Sequence, residues 1–361
     1  MVNDNRRRRL RFGPQLGDAR AARWGRRSSG THHRRRTRPR VDRARDSSTI
    51  LNTLAAGISY VDVQFGGRPR VIASAVLHGP GGAAIIDPGP ASTLPTLEAG
   101  FAQAGLAWRD VRAVLLTHIH LDHAGATGTI VHRHPHIRVY VHEKGAPHLL
   151  DPSKLLASAT RLYGDAMDRL WGEVREVPST AITALRGGER VTEGGRTLNA
   201  AYTPGHASHH VSLYDTDTGI AFVGDTAGVR VVPGGFNVPP TPPPDIDLEL
   251  WRDSVARIAA WGPQTLFLTH FGPHQPVGAH LSEFLDHLEL TSRLVKASLA
   301  REEPDEQREA WFVDQLRREL HRQASEAETR GSEAAGRFDL NWRGLARYWR
   351  KRESPGASGR P

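Results

Sequence analysis

Hydrophobic and polar positions change period several times along the chain, and each change marks an element. From Ile58 onward, GISYVDVQF, RVIASAVLH and GAAIIDPGP are short apolar runs bounded by Gly and Pro, a pattern that predicts three strands. STLPTLEAGFAQAG then takes helical spacing, with Leu94, Leu97, Phe101 and Ala104 on one face. VRAVLLT reads as a strand, HAGATGTIVHRH as the start of a helix, and IRVYVHE as a strand. Residues 152–172 read as a polar helix ending near Trp171 and Gly172. RTLNAAYTPGH and VSLYDTDTGIAFVGD predict strands, the second folded at a DTDTG turn. PGGFNVPPTPPPD is a proline-dense loop, LELWRDSVARIAAWG a helix and QTLFLTH a strand. Strands and helices alternate, so the body is predicted to be α/β.

After Pro276 the strand pattern stops. HLSEFLDHLELTSRLVKASL is amphipathic, with Leu281, Phe284, Leu285, Leu288 and Val295 on one side. PDEQREAWFVDQLRRELHRQ predicts a second helix, with Pro304 near its first turn. FDLNWRGLARYWR predicts a third, whose stripe of Phe338, Trp342, Leu345 and Trp349 is expected to pack on the body. These boundaries divide the chain into a loose arginine-rich tail (1–48), an α/β domain (49–275), a C-terminal helical region (276–350) and a second loose tail (351–361).

Composition changes this picture in two places. The chain carries +9 overall, but residues 1–48 hold sixteen Arg against four Asp, which leaves 49–361 at −3. The basicity belongs to the tail, which reads as a solvated extension rather than a nucleic-acid arm. The acidic body argues against a nucleic-acid partner. Cysteine is absent, so disulfides and thiolate metal sites are excluded and any metal is held by nitrogen and oxygen. No apolar run approaches the roughly 18 residues a membrane span needs, nor the shorter apolar stretch of a secretory signal, so the expected location is cytoplasmic without membrane contact.

The candidate chemistry lies where strands end. THIHLDH (117–123) packs three histidines and an aspartate into six positions at the end of an apolar run. His118 and His120 are two apart, so extended backbone points both imidazoles the same way, while Asp122 and His123 follow toward a second point. Burying so many polar groups without a charge partner would cost several kcal/mol. Three later runs end the same way: AAYTPGH at His206, GIAFVGD at Asp225 and QTLFLTH at His270. Asp225 can bridge two cations with its two oxygens.

With IIDPGP (85–90), TPGH (203–206), GDTAG (224–228) and LTHFG (268–272) in this order, the chain resembles the metallo-β-lactamase superfamily over roughly residues 58–275. The resemblance implies a four-layer αβ/βα sandwich of two packed mixed β-sheets flanked by helices, here with a C-terminal helical extension. It implies one metal held by His118, His120, His206 and Asp225 and another by Asp122, His123, Asp225 and His270. Asp87 matches a position that supports such a site through a ligating imidazole, although Asp-Pro-Gly is equally a turn signal. The ligand set resembles that of glyoxalase II.

The expected activity is that of a dinuclear zinc hydrolase, with iron or manganese as alternative metals, acting on a small thioester, ester or lactone. A hydroxide bridging the metals would attack, and Asp122 is the expected catalytic residue orienting it. A phosphodiesterase or nuclease on the same scaffold and an iron-dependent sulfur dioxygenase are the alternatives. The C-terminal helices are the candidate surface for a homodimer. His209 and His210 are expected beside the site, one buried and one exposed, with His274 treated alike. His132, His134, His136, His142 and His148 read as structural, and the loop 233–245 as a stiff pocket wall.

Overall fold

A computed structural model describes residues 50–322 and 324–353 of the chain, so the arginine-rich tail at 1–48 and most of the tail at 351–361 lie outside the described residues. The apolar runs become strands of two mixed sheets. The first sheet runs in sequence order through β1 (Leu51–Ala55), β2 (Ile58–Asp62), β3 (Ala73–Gly79), β4 (Gly82–Ile86), β5 (Val111–Leu115), β6 (Arg138–His142) and β7 (Ile182–Leu185). β1 to β4 pair antiparallel, and β4 to β7 pair parallel. The second sheet contains β8 (Arg190–Glu193), β9 (Arg196–Tyr202), β10 (Val211–Asp215), β11 (Ile220–Gly224), β12 (Thr265–Leu268) and β13 (Gly272–His274), in the spatial order β13-β12-β11-β10-β9-β8.

Parallel neighbours need crossovers, and helices supply them. α1 (Leu94–Gln103) links β4 to β5, and α2 (Leu121–Ala124) and α3 (Thr127–Arg133) link β5 to β6. α4 (Ala146–Leu150), α5 (Ser153–Tyr163) and α6 (Met167–Trp171) follow β6, and α7 (Leu248–Ala260) links β11 to β12. Asp247 caps α7 by accepting from the backbone N–H of Glu249 and Leu250 at 3.1 and 3.0 Å. The expected α1 face is buried at Leu94, Leu97 and Phe101.

Three apolar layers follow from strand alternation. Ile58, Leu77, Ile86 and Leu115 of the first sheet meet Leu198, Leu213, Phe222 and Phe267 of the second in the central core. The outer face of the first sheet packs Val76, Ile85 and Val114 against Leu97, Phe101 and Ile130. The outer face of the second packs Val223, Leu266 and Leu268 against Trp251, Val255 and Phe284. This is the four-layer sandwich.

The C-terminal region holds four helices, one more than the sequence predicts: α8 (Val277–Leu299), α9 (Asp305–His321), α10 (Glu326–Gly336) and α11 (Phe338–Glu353). α10 is rich in Glu and small residues and has no apolar stripe to announce it; a Ser325–Glu328 capping box starts it. α11 continues to Glu353, three residues past the expected end of the helical region at 350. Phe338, Trp342 and Leu345 are buried in the core that α8 and the second sheet share, with Trp349 packed against it. The aromatic stripe therefore packs on its own chain. Among the described residues no helix is long and apolar enough to cross a membrane.

Candidate metal centre

All seven expected ligands meet at one end of the central core. β5 ends at Leu115 and delivers Thr117 and His118; extended backbone at His120 caps the short α2, which carries Asp122 and His123. Asp225 follows β11, His206 follows β9 and His270 follows β12. Two of the candidate ligands directly follow glycines with positive φ. At Gly224 (φ +49°) a Cβ would lie 2.5 Å from the Thr117 hydroxyl and 2.6 Å from His210 Nε2. At Gly205 (φ +140°) a Cβ would lie 2.3 Å from Trp251. Only glycine permits the chain to deliver Asp225 and His206 through such narrow spaces.

Three groupings bring one ligand atom from each residue within 4.8 Å of the others: His118, His120 and His206; Asp122, His123 and His270; and His118, His123 and Asp225, which joins the two. His120 Nδ1 lies 3.0 Å from both His118 Nε2 and His206 Nε2. Asp225 Oδ2 is 3.3 Å from His206 Nε2, while its Oδ1 is 3.3 Å from His123 Nε2 and 3.6 Å from His270 Nε2. Each oxygen of Asp225 thus faces a different grouping. Asp122 Oδ2 lies 3.3 Å from His270 Nε2.

Four of the five histidines are held from behind. His123 Nδ1 donates to Asp87 Oδ2 at 2.8 Å, His206 Nδ1 to the Pro240 carbonyl at 2.7 Å and His270 Nδ1 to the Val71 carbonyl at 2.7 Å. Thr117 donates its hydroxyl hydrogen to Asp87 Oδ2 at 2.7 Å, leaving its oxygen to accept from His118 Nδ1 at 3.1 Å. These outward bonds assign the proton to Nδ1 and leave the Nε2 lone pairs pointing inward.

Asp87 resolves the two sequence readings in favour of both. It has a turn conformation (φ +51°), and its buried carboxylate also accepts from Thr117 N at 2.8 Å and from the Thr269 hydroxyl at 2.8 Å. The threonines preceding His118 and His270 both bond this one carboxylate. The repeated Thr-His dipeptide, at 117–118 and 269–270, is the signal in the sequence that marks them.

Electrostatics divides the cluster. Burial, with neighbouring imidazoles, holds His118 well below the usual histidine range and brings His120 down to about 4; burial also lowers His206. Burial acts on His123 and His270 in the same direction but is overcome by Asp225 and the other nearby carboxylates, so both are raised. Asp122 and Asp225 are held below the ordinary carboxylate range despite burial, because His123 and His270 face them. The site thus sets ionised carboxylates beside His118, His120 and His206, which are held neutral, while His123 and His270 favour the proton that a bound cation would displace.

The donor set fits a pair of cations. His123 Nε2 and Asp225 Oδ1 are buried without a hydrogen-bond partner, an arrangement that folded proteins seldom leave uncompensated. Five imidazoles and two carboxylates with no thiolate suit zinc, iron or manganese.

Around the centre the histidines correct several expectations. His209 and His210 are both buried, because the strand does not begin until Val211. His210 accepts from Asp225 N at 3.3 Å through Nε2 and sets Nδ1 against the hydroxyls of Thr203 and Thr226 at 3.0 and 3.1 Å. His209 lines the cavity in front of the centre, its ring 5.7 Å from that of His120. His148, read as structural, lines the same cavity. His132 does pair with Glu176 at 3.1 Å, His134 stacks on Trp108, His136 donates to the Val111 carbonyl and His142 stacks on Tyr202. His274 packs against His280, away from the cluster.

The cavity measures about 260 Å³ and opens over His120, Asp122, His206, Asp225 and His270. Pro240 and Pro242–Pro244 form part of its side, as the stiff-wall reading of the proline loop expects. Further lining comes from α5, α6 and the α10–α11 junction, including Tyr163, Trp171, Arg337 and Leu340. None of these wall residues was identified from sequence, because only tertiary packing brings them to the site.

The sequence profile of the Metallo-beta-lactamase superfamily matches residues 67–270. A metallo-beta-lactamase fold-containing protein of Sulfurisphaera tokodaii is 30% identical over 184 residues, which cover 49% of this chain and 67% of that protein. A hydroxyacylglutathione hydrolase of Synechococcus is 29% identical over 153 residues, covering 42% of this chain and 47% of the relative, or about half its length. Among solved structures, a metallo-beta-lactamase family protein from Thermus thermophilus superposes with a TM-score of 0.62 at 22% identity, covering 83% of this chain and 95% of its own, which shows a common fold.

Proposed function

Since the chain belongs to the metallo-β-lactamase superfamily, whose members are mostly metal-dependent hydrolases, we propose that it is a dinuclear metallohydrolase cleaving a small thioester, carboxylic ester or lactone. His118, His120 and His206 with one oxygen of Asp225 would hold one cation, and Asp122, His123 and His270 with the other oxygen would hold the second. Zinc is the proposed metal. When bound, the pair would supply Lewis acidity toward the substrate carbonyl and a water nucleophile usable near neutral pH.

The observation that carries this reading is the outward anchoring of four imidazoles, which directs their Nε2 atoms into one space. The protein's own part is positional. Asp87, with Thr117 and Thr269, sets the ring planes of His118 and His123 before substrate arrives. His210 orients the backbone that presents Asp225. Asp122, at the cavity floor and held as the carboxylate, can accept a hydrogen bond from the attacking water and aim it at the carbonyl carbon. The overall reaction adds water across the acyl–S or acyl–O bond, releasing the carboxylate, the thiol or alcohol, and one proton. The hydroxyacylglutathione hydrolase relative supports a thioester, and the net acidic body favours it over a nucleic-acid phosphodiester.

Elemental analysis of the purified protein, coupled to a panel of thioesters, esters, lactones and phosphodiesters, tests the proposal. Two equivalents of zinc and turnover confined to the carboxylic substrates are expected. Iron with oxygen-dependent turnover of a persulfide, or turnover of phosphodiesters alone, would overturn it.

A further inference from the structure

One wall of the cavity is more apolar and more aromatic than hydrolysis itself requires. Leu121, beside the proposed ligand Asp122, belongs to an apolar cluster with Leu155, Tyr163 and Trp171. Tyr163 packs edge-on against Trp171 at 5.0 Å. The helical C-terminal region adds to the lining through Leu340, which is otherwise buried. The Arg337 guanidinium lies over the Tyr163 ring at 5.3 Å and packs the α10–α11 junction on α5. It is paired in a fork with Asp339 at 3.0 and 2.8 Å, so it adds no free positive charge for an anionic ligand.

The wall is also held in place. Asn341 Oδ1 accepts from Thr241 N at 2.8 Å, tying α11 to the proline loop. At Gly336 a Cβ would lie 2.6 Å from Val238, so the end of α10 sits directly on that loop. The apolar lining is therefore a formed surface continuous with the metal centre.

We propose that this surface, built in part by the C-terminal helices, binds the acyl half of the substrate and selects a medium-length straight-chain or phenyl-bearing acyl group. The inference rests on the hydrolase reading and adds the substrate class to it. The occupant is the acyl group because the carbonyl carbon must sit over the metal ligands, and the apolar wall begins at Leu121, next to them. At about 260 Å³ the cavity is smaller than the usual small-molecule pocket of roughly 300–1,000 Å³. That volume takes an acyl group but leaves a peptide-sized thiol carrier outside.

The test is a series of N-acetylcysteamine thioesters (acetyl, butanoyl, hexanoyl, decanoyl) with the protein as purified, together with calorimetric binding of the neutral probe octanamide. kcat/KM should rise by about threefold for each added methylene until the wall is reached. Octanamide should bind, and acetamide should not. Leu340→Trp should lower the hexanoyl-to-acetyl ratio at least tenfold and weaken octanamide binding. Should that variant fail to fold, the wild-type series and octanamide binding still decide. Turnover that is flat along the acyl series but sensitive to the thiol carrier would assign the cavity to the thiol half and overturn the inference while leaving the hydrolase reading intact. Octanamide binding without turnover of any thioester, carboxylic ester or lactone would preserve the apolar site and overturn the hydrolase reading instead.

Discussion

Asp87 Oδ2 accepts a hydrogen bond from His123 Nδ1 at 2.8 Å, with both side chains fully buried. The same carboxylate ties the end of β5 to the end of β12 through Thr117 and Thr269. One side chain thus registers ligands from both sheets. Asp87→Ala should weaken metal binding by about 10- to 100-fold, measured by competition with a chromogenic chelator. Unchanged affinity would mean that Asp87 serves only the turn.

Buried imidazoles outside the cluster should make stability pH-dependent. Burial, the neighbouring imidazole and Arg230 bring His274 down to about 3, and burial with Arg230 brings His280 to about 4. Unfolded histidine titrates near 6.5, so below that pH the unfolded chain binds protons that the folded chain refuses. Stability is then fully present above about pH 6.5 and falls as the pH drops toward 4, by at most about 1.4 kcal/mol per pH unit for each histidine. Denaturant unfolding between pH 7.5 and 5 should show a shallower decline in His280→Gln than in the wild type. Equal slopes would contradict the assignment.

Trp342 is buried in the core shared by α8, α11 and the second sheet, and its indole donates to the Ser298 hydroxyl at 2.7 Å. Trp342→Ala should cost about 3–5 kcal/mol of stability, read by denaturant unfolding, with metal content per folded chain unchanged. Loss of metal with intact stability would place this residue in a different role.

Much of the fold was legible because long apolar runs ending in Gly or Pro admit few alternatives, and β2 to β6 and β9 to β12 stand where their patterns put them. The strands that escaped were short or sparsely patterned. β7 (Ile182–Leu185) has two exposed central residues, and β13 (Gly272–His274) is three residues long. The candidate ligands were legible for a different reason: they follow the ends of β5, β9, β11 and β12, where an apolar pattern makes the polar residues after it conspicuous. Tyr163, Trp171 and Leu340 had no such contrast. The helix carrying Tyr163 looked polar because part of its apolar face covers a cavity rather than a core. Only the folded chain brings α5 and α11 together at that cavity.

Asp225 gives the most direct test, because its two oxygens face the two ligand groupings separately. The decisive measurement is the metal content per chain of the purified wild type and of Asp225→Ala, with turnover assayed on the same samples. The account predicts two equivalents in the wild type, and loss of both metal and activity in the variant. A variant that retains two metals and full turnover would contradict it.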